Sequence, residues 1–386
     1  MANVSFLFAG GGTGGHIYPA LAIAEQILER EPQAGIQFLH STRDVDARIL
    51  GRTTLARMAL PATGLYLHPA RLLRFATTFR QSYHLAREAI AESPNPVVVG
   101  VGGYVAAPVC LAGHKLGVPV ALVNVDIVPG RANRLSARWA DEIFVQFEES
   151  RARFGRRANR VDVVGCPLRR GFAHPEPAGA VKDLSLDPNK KVLLITGASS
   201  GSASINEAVC RLLERLEAFA DGWQIVHLTG LANYEAVRGK YDRAGIAHRV
   251  QGYYDRMPDL LAAADLVVGR SGAVSVAEYA AAGVASICMP YPHHKDRHQY
   301  LNAGILVEAG AAVVVDDLPD ADERVGWLWE ELADLMRHDD KRRDMAQACT
   351  AVARPNAAAE IAARLLAMTG NEGAVTANGK RDEPVS

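Results

Sequence analysis

The sequence predicts an α/β fold of two facing halves, each built on a parallel sheet, with a ligand cleft between them. Three observations predict it. Short β-branched runs alternate with longer helical patterns along the chain. A second such series begins at Lys191, after a stretch rich in Pro, Ala and charge between His174 and Asn189. Both series open in the same way, with a strand, a loop of small residues and a helix.

The first opening is Ala9-Gly10-Gly11-Gly12-Thr13-Gly14-Gly15-His16-Ile17-Tyr18-Pro19. Val4 to Phe8 before it is an apolar strand run, and Ala20, Leu21, Ala24, Ile27 and Leu28 after it recur at helical spacing. Pro19 fits a first helical turn, where its missing N–H costs nothing. Glycines let backbone N–H groups approach a ligand closely, and a helix N-terminus favours negative charge, so the loop suits an anion such as a diphosphate. His16, where loop becomes helix, has the chemistry of a general base, or is a polar helix-start residue.

Strands are expected near 4–9, 36–41, 97–101, 119–124, 142–146 and 161–164, then at 191–196, 223–229, 265–269, 284–289 and 311–315. The halves are Rossmann-like, with an N-terminal domain over 1–167 and a C-terminal domain over 168–369, whose last helix is a candidate to return to the first. Residues 370–386 are polar and aperiodic, an expected disordered tail.

Gly10-x-Gly12-x-x-Gly15 matches the dinucleotide fingerprint, but the acidic residue wanted at the end of the second strand comes late, at Asp44 after Arg43. Between Arg71 and Tyr83 lies a basic segment edged with Leu72, Leu73, Phe75 and Phe79, either a packed surface helix or a patch for an anionic membrane. Gly102-Gly103-Tyr104 closes a strand, as a tight turn or a ligand contact. Gly197-Ala198-Ser199-Ser200-Gly201-Ser202 opens the second series. Arg270-Ser271-Gly272-Ala273-Val274-Ser275-Val276-Ala277-Glu278 is the densest candidate: its loop N–H groups suit phosphate, and Glu278 suits ribose hydroxyls or a capping box with Ser275. His294 and His298 are four apart, but no glutamate follows His294 as a zinc-protease motif requires. Gln299 and Asn302 suit sugar hydroxyls or a helix cap.

The 42 Lys and Arg nearly cancel the 43 Asp and Glu, so no global field points to nucleic acid. Five cysteines at 110, 166, 210, 288 and 349 form no Cys-x-x-Cys pair and read as reduced core thiols of a cytoplasmic protein. No apolar run is long enough for a transmembrane helix, and the N-terminal one is too short for a signal peptide.

Taken together and in order, Gly11 to Pro19, Gly102-Gly103-Tyr104, Pro129-Gly130-Arg131-Ala132-Asn133-Arg134, Gly165-Cys166-Pro167-Leu168-Arg169, Arg270 to Glu278 and His294-Lys295-Asp296-Arg297-His298-Gln299 resemble the MurG glycosyltransferases over roughly residues 3–366. The resemblance implies a GT-B fold and transfer of N-acetylglucosamine, with inversion and without metal or other cofactor, from UDP-N-acetylglucosamine to undecaprenyl-diphosphate-linked muramyl-pentapeptide. That step belongs to peptidoglycan synthesis, with its ties to cell shape and division, on the cytoplasmic face of the membrane. It implies His16 as the base on the acceptor 4-hydroxyl, with Thr13, Gly14 and Gly15 around phosphates. Arg169 and Ser199 match diphosphate contacts, Tyr254 the uracil edge, Arg270 and Ala273 to Glu278 the phosphate and ribose loop, and Gln299 a sugar contact. Tyr104 and Asp126 are further substrate-binding expectations, and the segment near Arg71 to Tyr83 is the implied membrane contact. One departure stands out: Val123-Asn124-Val125-Asp126 occupies the place where the family usually carries His-Glu-Gln-Asn. Ser199-Ser200 stands where Ser-Gln is usual.

Overall fold

The computed structural model describes residues 4–12, 14–64 and 68–370. Its first half runs β1 (Ser5–Gly10), α1 (Gly14–Arg30), β2 (Gly35–Ser41), α2 (Asp44–Leu50), β3 (Ala56–Leu60), α3 (Pro69–Ala91), β4 (Pro96–Gly102), α4 (Ala106–Leu116), β5 (Val120–Asn124), α5 (Arg131–Ser136), β6 (Glu142–Val145) and β7 (Val161–Val163). The second half begins with α6 (Pro177–Asp183), β8 (Lys191–Thr196), α7 (Ala203–Leu216), β9 (Trp223–Leu228), α8 (Tyr234–Tyr241), β10 (His248–Gln251), α9 (Met257–Ala263) and β11 (Leu266–Gly269). It continues through α10 (Ala273–Ala282), β12 (Ser286–Cys288), α11 (His298–Glu308), β13 (Ala312–Val314), α12 (Ala321–Arg337), α13 (Asp339–Ala348) and α14 (Ala357–Ala367).

All strand pairings are parallel, in a sheet ordered β3-β2-β1-β4-β5-β6-β7 and another ordered β10-β9-β8-β11-β12-β13. Helices cover both faces, which is why the strands are continuous apolar runs rather than alternating ones. In the first sheet Phe6, Phe8, Phe38, Val97 and Val99 pack beneath α1, while Leu7, Leu39, Val98, Val120 and Leu122 pack against the opposite face with Val109 and Ala112 of α4. In the second sheet Leu193, Ile195 and Ile225 meet α7 and α12, and Leu194, Val226 and Val267 meet α9 and α10. In both sheets strand order reverses beside the first strand, between β1 and β4 and between β8 and β11. Ligands of open α/β sheets bind at the carboxyl ends of strands at such points.

Two strands lack a sequence signal. The run Ala56–Leu60 is an edge strand with Ala56, Arg57 and Ala59 exposed, and His248–Gln251 is a half-exposed edge, so neither carries a buried β-branched run. Pro19 is also placed differently from the expectation. The helix begins at Gly14, so Pro19 lies beyond the first turn, and its ring removes the hydrogen bond that would reach the Gly15 carbonyl. The stretch from His174 to Asn189 contains α6, and its Ala180, Leu184 and Leu186 pack with Leu260 and Leu261 against the second sheet. Helix α14 does the reverse: its Ile361, Ala362 and Leu365 pack with Ile17 and Leu21 of α1 in the first half. The expected tail lies, from residue 371, outside the described residues.

The second half contains a buried polar cluster. His227 Nδ1 lies 2.8 Å from Tyr241 Oη and Nε2 lies 3.0 Å from Asn206 Oδ1, while Asn206 Nδ2 donates to the Thr229 carbonyl. Burial lowers the His227 pKa to about 3. The native state therefore resists a proton that the unfolded chain takes up near pH 6.5, so stability present above that pH is lost as pH falls. Between pH 7.5 and pH 5 this group should cost about 2 kcal/mol. Urea unfolding of the protein and of His227→Gln at both pH values checks it: the substitution should remove most of that difference.

Candidate active site

The first glycine loop is held from below by Asp46, which α2 buries completely. Its carboxylate accepts the Gly12 N–H with both oxygens at 2.8 Å, the Ser41 hydroxyl at 2.5 Å and the Ser41 N–H at 3.2 Å. A side chain at Gly11, where φ is +154°, would place its Cβ 2.2 Å from Asp46 Oδ2. The Gly12 N–H is taken by Asp46, while Gly14 and Gly15, in the first turn of α1, face the cavity between the halves and Gly11 and Gly12 line a second cavity in the first half. Thr13 lies outside the described residues.

The same loop aims His16. Nδ1 is 2.9 Å from the Gly11 carbonyl, which can only accept, so Nδ1 is the donor there, and in the neutral ring the lone pair lies on Nε2. Gly102 and Gly103 let the ring and loop come this close. A Cβ on Gly102 would reach 2.7 Å from His16 Cδ2, and one on Gly103 would reach 2.3 Å from the Gly11 carbonyl oxygen.

Across the cleft stands the second glycine loop. A Cβ on Gly14 would meet Ser199 Oγ at 3.1 Å, so the two strand-loop-helix openings touch. Gly14, Gly15, His16, Asp126, Arg169, Ser199, Tyr254, Ala273, Val274, Ser275, Glu278 and Gln299 line one cavity of about 480 Å³ between the halves. Helix α10 points its N-terminus into it, and the N–H groups of that first turn have no helical partner. Gly272 is the N-cap and makes no side-chain cap bond. Ser275 and Glu278 are therefore inside the helix, and the capping-box reading does not hold. Burial raises the Glu278 pKa to about 7, with Arg169 pulling the other way. Arg169 stacks over the Tyr18 ring, 4.7 Å from its centroid, and donates to the Asp255 carbonyl at 3.2 Å.

Some expected site residues stand elsewhere. Arg270 is 9% exposed and its guanidinium is engaged: it pairs with Asp317 at 2.8 Å and donates to Ser202 Oγ, Ser204 Oγ and the carbonyls of Met289 and Pro290. It ties together the loops after β8, β11 and β12 rather than facing the cavity. Val276 and Ala277 lie on the far side of α10, in a separate cavity of about 340 Å³. Tyr104 lines a third cavity, of about 770 Å³, in the first half with Arg43, Arg71, Arg74 and Arg131. His16 and Asp126 line both this cavity and the one between the halves.

Helix α11 starts at His298, so His294 precedes it; the rings stack at 4.2 Å. Burial and His298 lower the His294 pKa. Gln299 Oε1 accepts the Tyr291 N–H at 2.9 Å. Among the described residues, no group of three or more His, Cys, Asp or Glu is placed to hold a metal ion.

Several contributors stand outside the expected site residues. Tyr18 Oη and Tyr253 Oη meet at 2.5 Å across the cleft, and burial together with Tyr253 raises the Tyr18 pKa. Asp46, two residues after Asp44, stands outside the expected site residues. Asn302 is neither cap nor exposed sugar contact but fully buried. Pairings between residues two hundred positions apart leave no local periodicity to read.

Two parallel sheets that face each other across a cleft at their strand carboxyl ends make a GT-B architecture. The glycosyltransferase family 28 N-terminal domain matches residues 6–145 and the family 28 C-terminal domain matches residues 192–364. The UDP-N-acetylglucosamine--N-acetylmuramyl-(pentapeptide) pyrophosphoryl-undecaprenol N-acetylglucosamine transferase of Desulforamulus reducens is 34% identical over 364 residues, covering 92% of this chain and 96% of that protein. The enzyme of the same name from Clavibacter michiganensis subsp. michiganensis is 36% identical over 368 residues, covering 92% and 94%. A crystal structure of Acinetobacter baumannii MurG superposes with a TM-score of 0.68 at 26% identity, covering 94% of this chain and 99% of that one. The chain belongs to glycosyltransferase family 28 and, within it, to the MurG transferases.

Two outcomes follow from the site's electrostatics. Between pH 4.5 and 7 native Glu278 holds a proton that the unfolded chain has released, so stability falls as pH rises through that window. Glu278→Gln should then be more stable than the parent at pH 8, on the order of 3 kcal/mol, and the difference should vanish near pH 4.5 in thermal unfolding. Arg270→Ala leaves Asp317, 3% exposed, without its closest cation, and should cost roughly 3–5 kcal/mol in denaturant unfolding.

Proposed function

We propose that the protein transfers N-acetylglucosamine from UDP-N-acetylglucosamine to the 4-hydroxyl of a lipid-linked muramyl-pentapeptide, inverting the configuration at C1. The observation that carries this reading is the place of His16, whose ring lines both the cavity between the halves and the cavity of the first half. The first suits the nucleotide-sugar donor. Glu278 supplies an acceptor for ribose hydroxyls; Ser199, Arg169 and the N–H groups of α10 supply charge-matched partners for a diphosphate, and Tyr254 borders the end for the base. The second suits the acceptor, whose own diphosphate would meet Arg43, Arg71, Arg74 and Arg131. In this arrangement the acceptor hydroxyl attacks C1 from the face opposite the diphosphate. His16 Nε2 takes the hydroxyl proton as the C–O bond forms, and the C1–O bond to UDP breaks with its charge moving onto the diphosphate. Gln299 and Asp126 border the sugar position. The reaction needs no metal in this reading, because the developing charge is met by N–H dipoles and Arg169.

The relatives' names support the substrates, since the proteins from Desulforamulus and Clavibacter carry this activity in theirs. The departure at Val123 to Asp126 favours a second reading, a related transferase with another acceptor or donor sugar. For the membrane surface, α3 offers Leu72 and Leu73, 40% and 69% exposed, beside Arg71 and Arg74. We place this helix against an anionic leaflet, with the catalytic halves in the cytoplasm. No described helix is long and apolar enough to cross a membrane.

Incubation of the protein with UDP-N-acetylglucosamine, with and without the lipid-linked muramyl-pentapeptide, separates the readings. Disaccharide and UDP should appear only with the acceptor present, and at the same rate in EDTA; isomerised sugar without acceptor, or loss of turnover in EDTA restored by Mg²⁺, would refute the mechanism. His16→Ala should lower kcat roughly 10²-fold or more while UDP-N-acetylglucosamine binding, followed by calorimetry, stays near that of the parent.

A further inference from the structure

The departure at residues 123–126 places a carboxylate where the two cavities meet, and a single buried amide in the other half holds it. Asn302, on the second turn of α11, is 0% exposed. Its Oδ1 accepts the Ile127 N–H at 3.1 Å; its Nδ2 donates to Asp126 Oδ1 at 3.2 Å and to the Ser271 carbonyl at 3.3 Å. Asp126 and Ile127 follow β5 of the first sheet, whereas Ser271 follows β11 of the second, so one side chain joins the exit loops of both sheets. On the far side the same loop is braced by Asn133 Nδ2 donating to Asn124 Oδ1 at 2.9 Å and Asn124 Nδ2 donating to the Asp126 carbonyl at 2.7 Å. The line Asn133, Asn124, Asp126, Asn302, Ser271 thus runs from α5 across the cleft.

We infer that Asn302 is a positioning residue that makes recognition of the donor sugar conditional on closure of the two halves. It holds one oxygen of Asp126 and leaves the other for the cavity that Asp126 lines with His16 and Gln299. A carboxylate offers acceptors only, so the group it reads is a hydroxyl or amide N–H of the sugar, not the nucleotide. With the halves apart, Asn302 withdraws from Asp126 together with Ser271, which shares its amide, and the Asp126 side chain loses that partner. The fixed carboxylate exists only when both halves meet, and sugar-bearing donors gain affinity from closure that UDP alone does not. This rests on the reading of the cavity between the halves as the donor site.

Calorimetric titration of UDP and of UDP-N-acetylglucosamine into the parent, Asn302→Ala, Asp126→Ala and the double variant tests it. Each single substitution should weaken UDP-N-acetylglucosamine binding roughly tenfold to a hundredfold, the range for a hydrogen bond to a charged group, and leave UDP binding within about twofold. The double variant should be no worse than either single one. Unchanged sugar-nucleotide affinity in Asn302→Ala, or losses that multiply in the double variant, would overturn the inference. Weakening of UDP and UDP-N-acetylglucosamine alike would do so too, because Asn302 would then serve the fold and not the sugar. If the parent itself binds neither, the donor reading fails, and this inference with it. A second pair keeps the test independent of cavity formation: in Asp126→Asn combined with Asn302→Asp the donor and acceptor of the bond are exchanged. Part of the sugar-specific affinity lost in Asn302→Asp alone should return. No recovery at all would count against the bond.

Discussion

The buried carboxylate of Asp46 is the constraint on which the geometry of the first glycine loop and of His16 depends. A charge withdrawn from water is tolerable only when hydrogen-bonded, and the partners it finds are backbone and hydroxyl groups of the loops ending β1 and β2. Satisfying Asp46 therefore folds the glycine loop, and the folded loop turns the Gly11 carbonyl toward His16. The loop thereby also brackets the imidazole of His16. Its glycines are needed because carboxylate, carbonyl and ring crowd the backbone from three sides, at Gly11, Gly103 and Gly102.

Much of the architecture was legible in the sequence because it depends on local patterns. Parallel strands buried on both faces are apolar runs, and those between β4 and β9 and from β11 to β13 stand within a residue or two of where they were expected. The strands that were not legible, β3 and β10, are edges whose half-exposed residues carry no such run. The site divides in the same manner. Residues on strand-loop-helix motifs, such as Gly14, His16, Ser199 and Glu278, meet in one cavity. Arg270, in the same kind of motif, is turned inward by Asp317, a partner 47 residues on that no spacing announces. Glu278 and Ser275 had the spacing of a cap, yet the helix starts at Ala273 and removes that role. Asn302 and the Tyr18–Tyr253 pair depend on contacts between distant parts of the chain, which only the assembled fold supplies.

The cleft is lined by groups whose charge is conditional. Glu278 carries a pKa raised into the neutral range and His294 one lowered by burial and by a neighbouring imidazole, so both shifts favour the uncharged form in a poorly solvated space. Beside them stand fixed donors, the Arg169 guanidinium and the N–H groups at the start of α10, and preorganised donors need no reorganisation when an anion arrives. Electrostatic preparation of this kind favours the ligand that brings charge over water that does not.

The chain passes between the halves twice, once after β7 and again before α14, because α14 returns to pack on α1. These crossings touch: at Gly165, where φ is +98°, a Cβ would lie 2.3 Å from Arg354 Cβ. Two covalent tethers that meet at one place act as a pin. Sliding one half along the cleft would strain both tethers at once. A side chain at Gly165 would touch no residue lining the cavity between the halves, yet by pushing Arg354 away it would change the angle at which two otherwise intact walls come together.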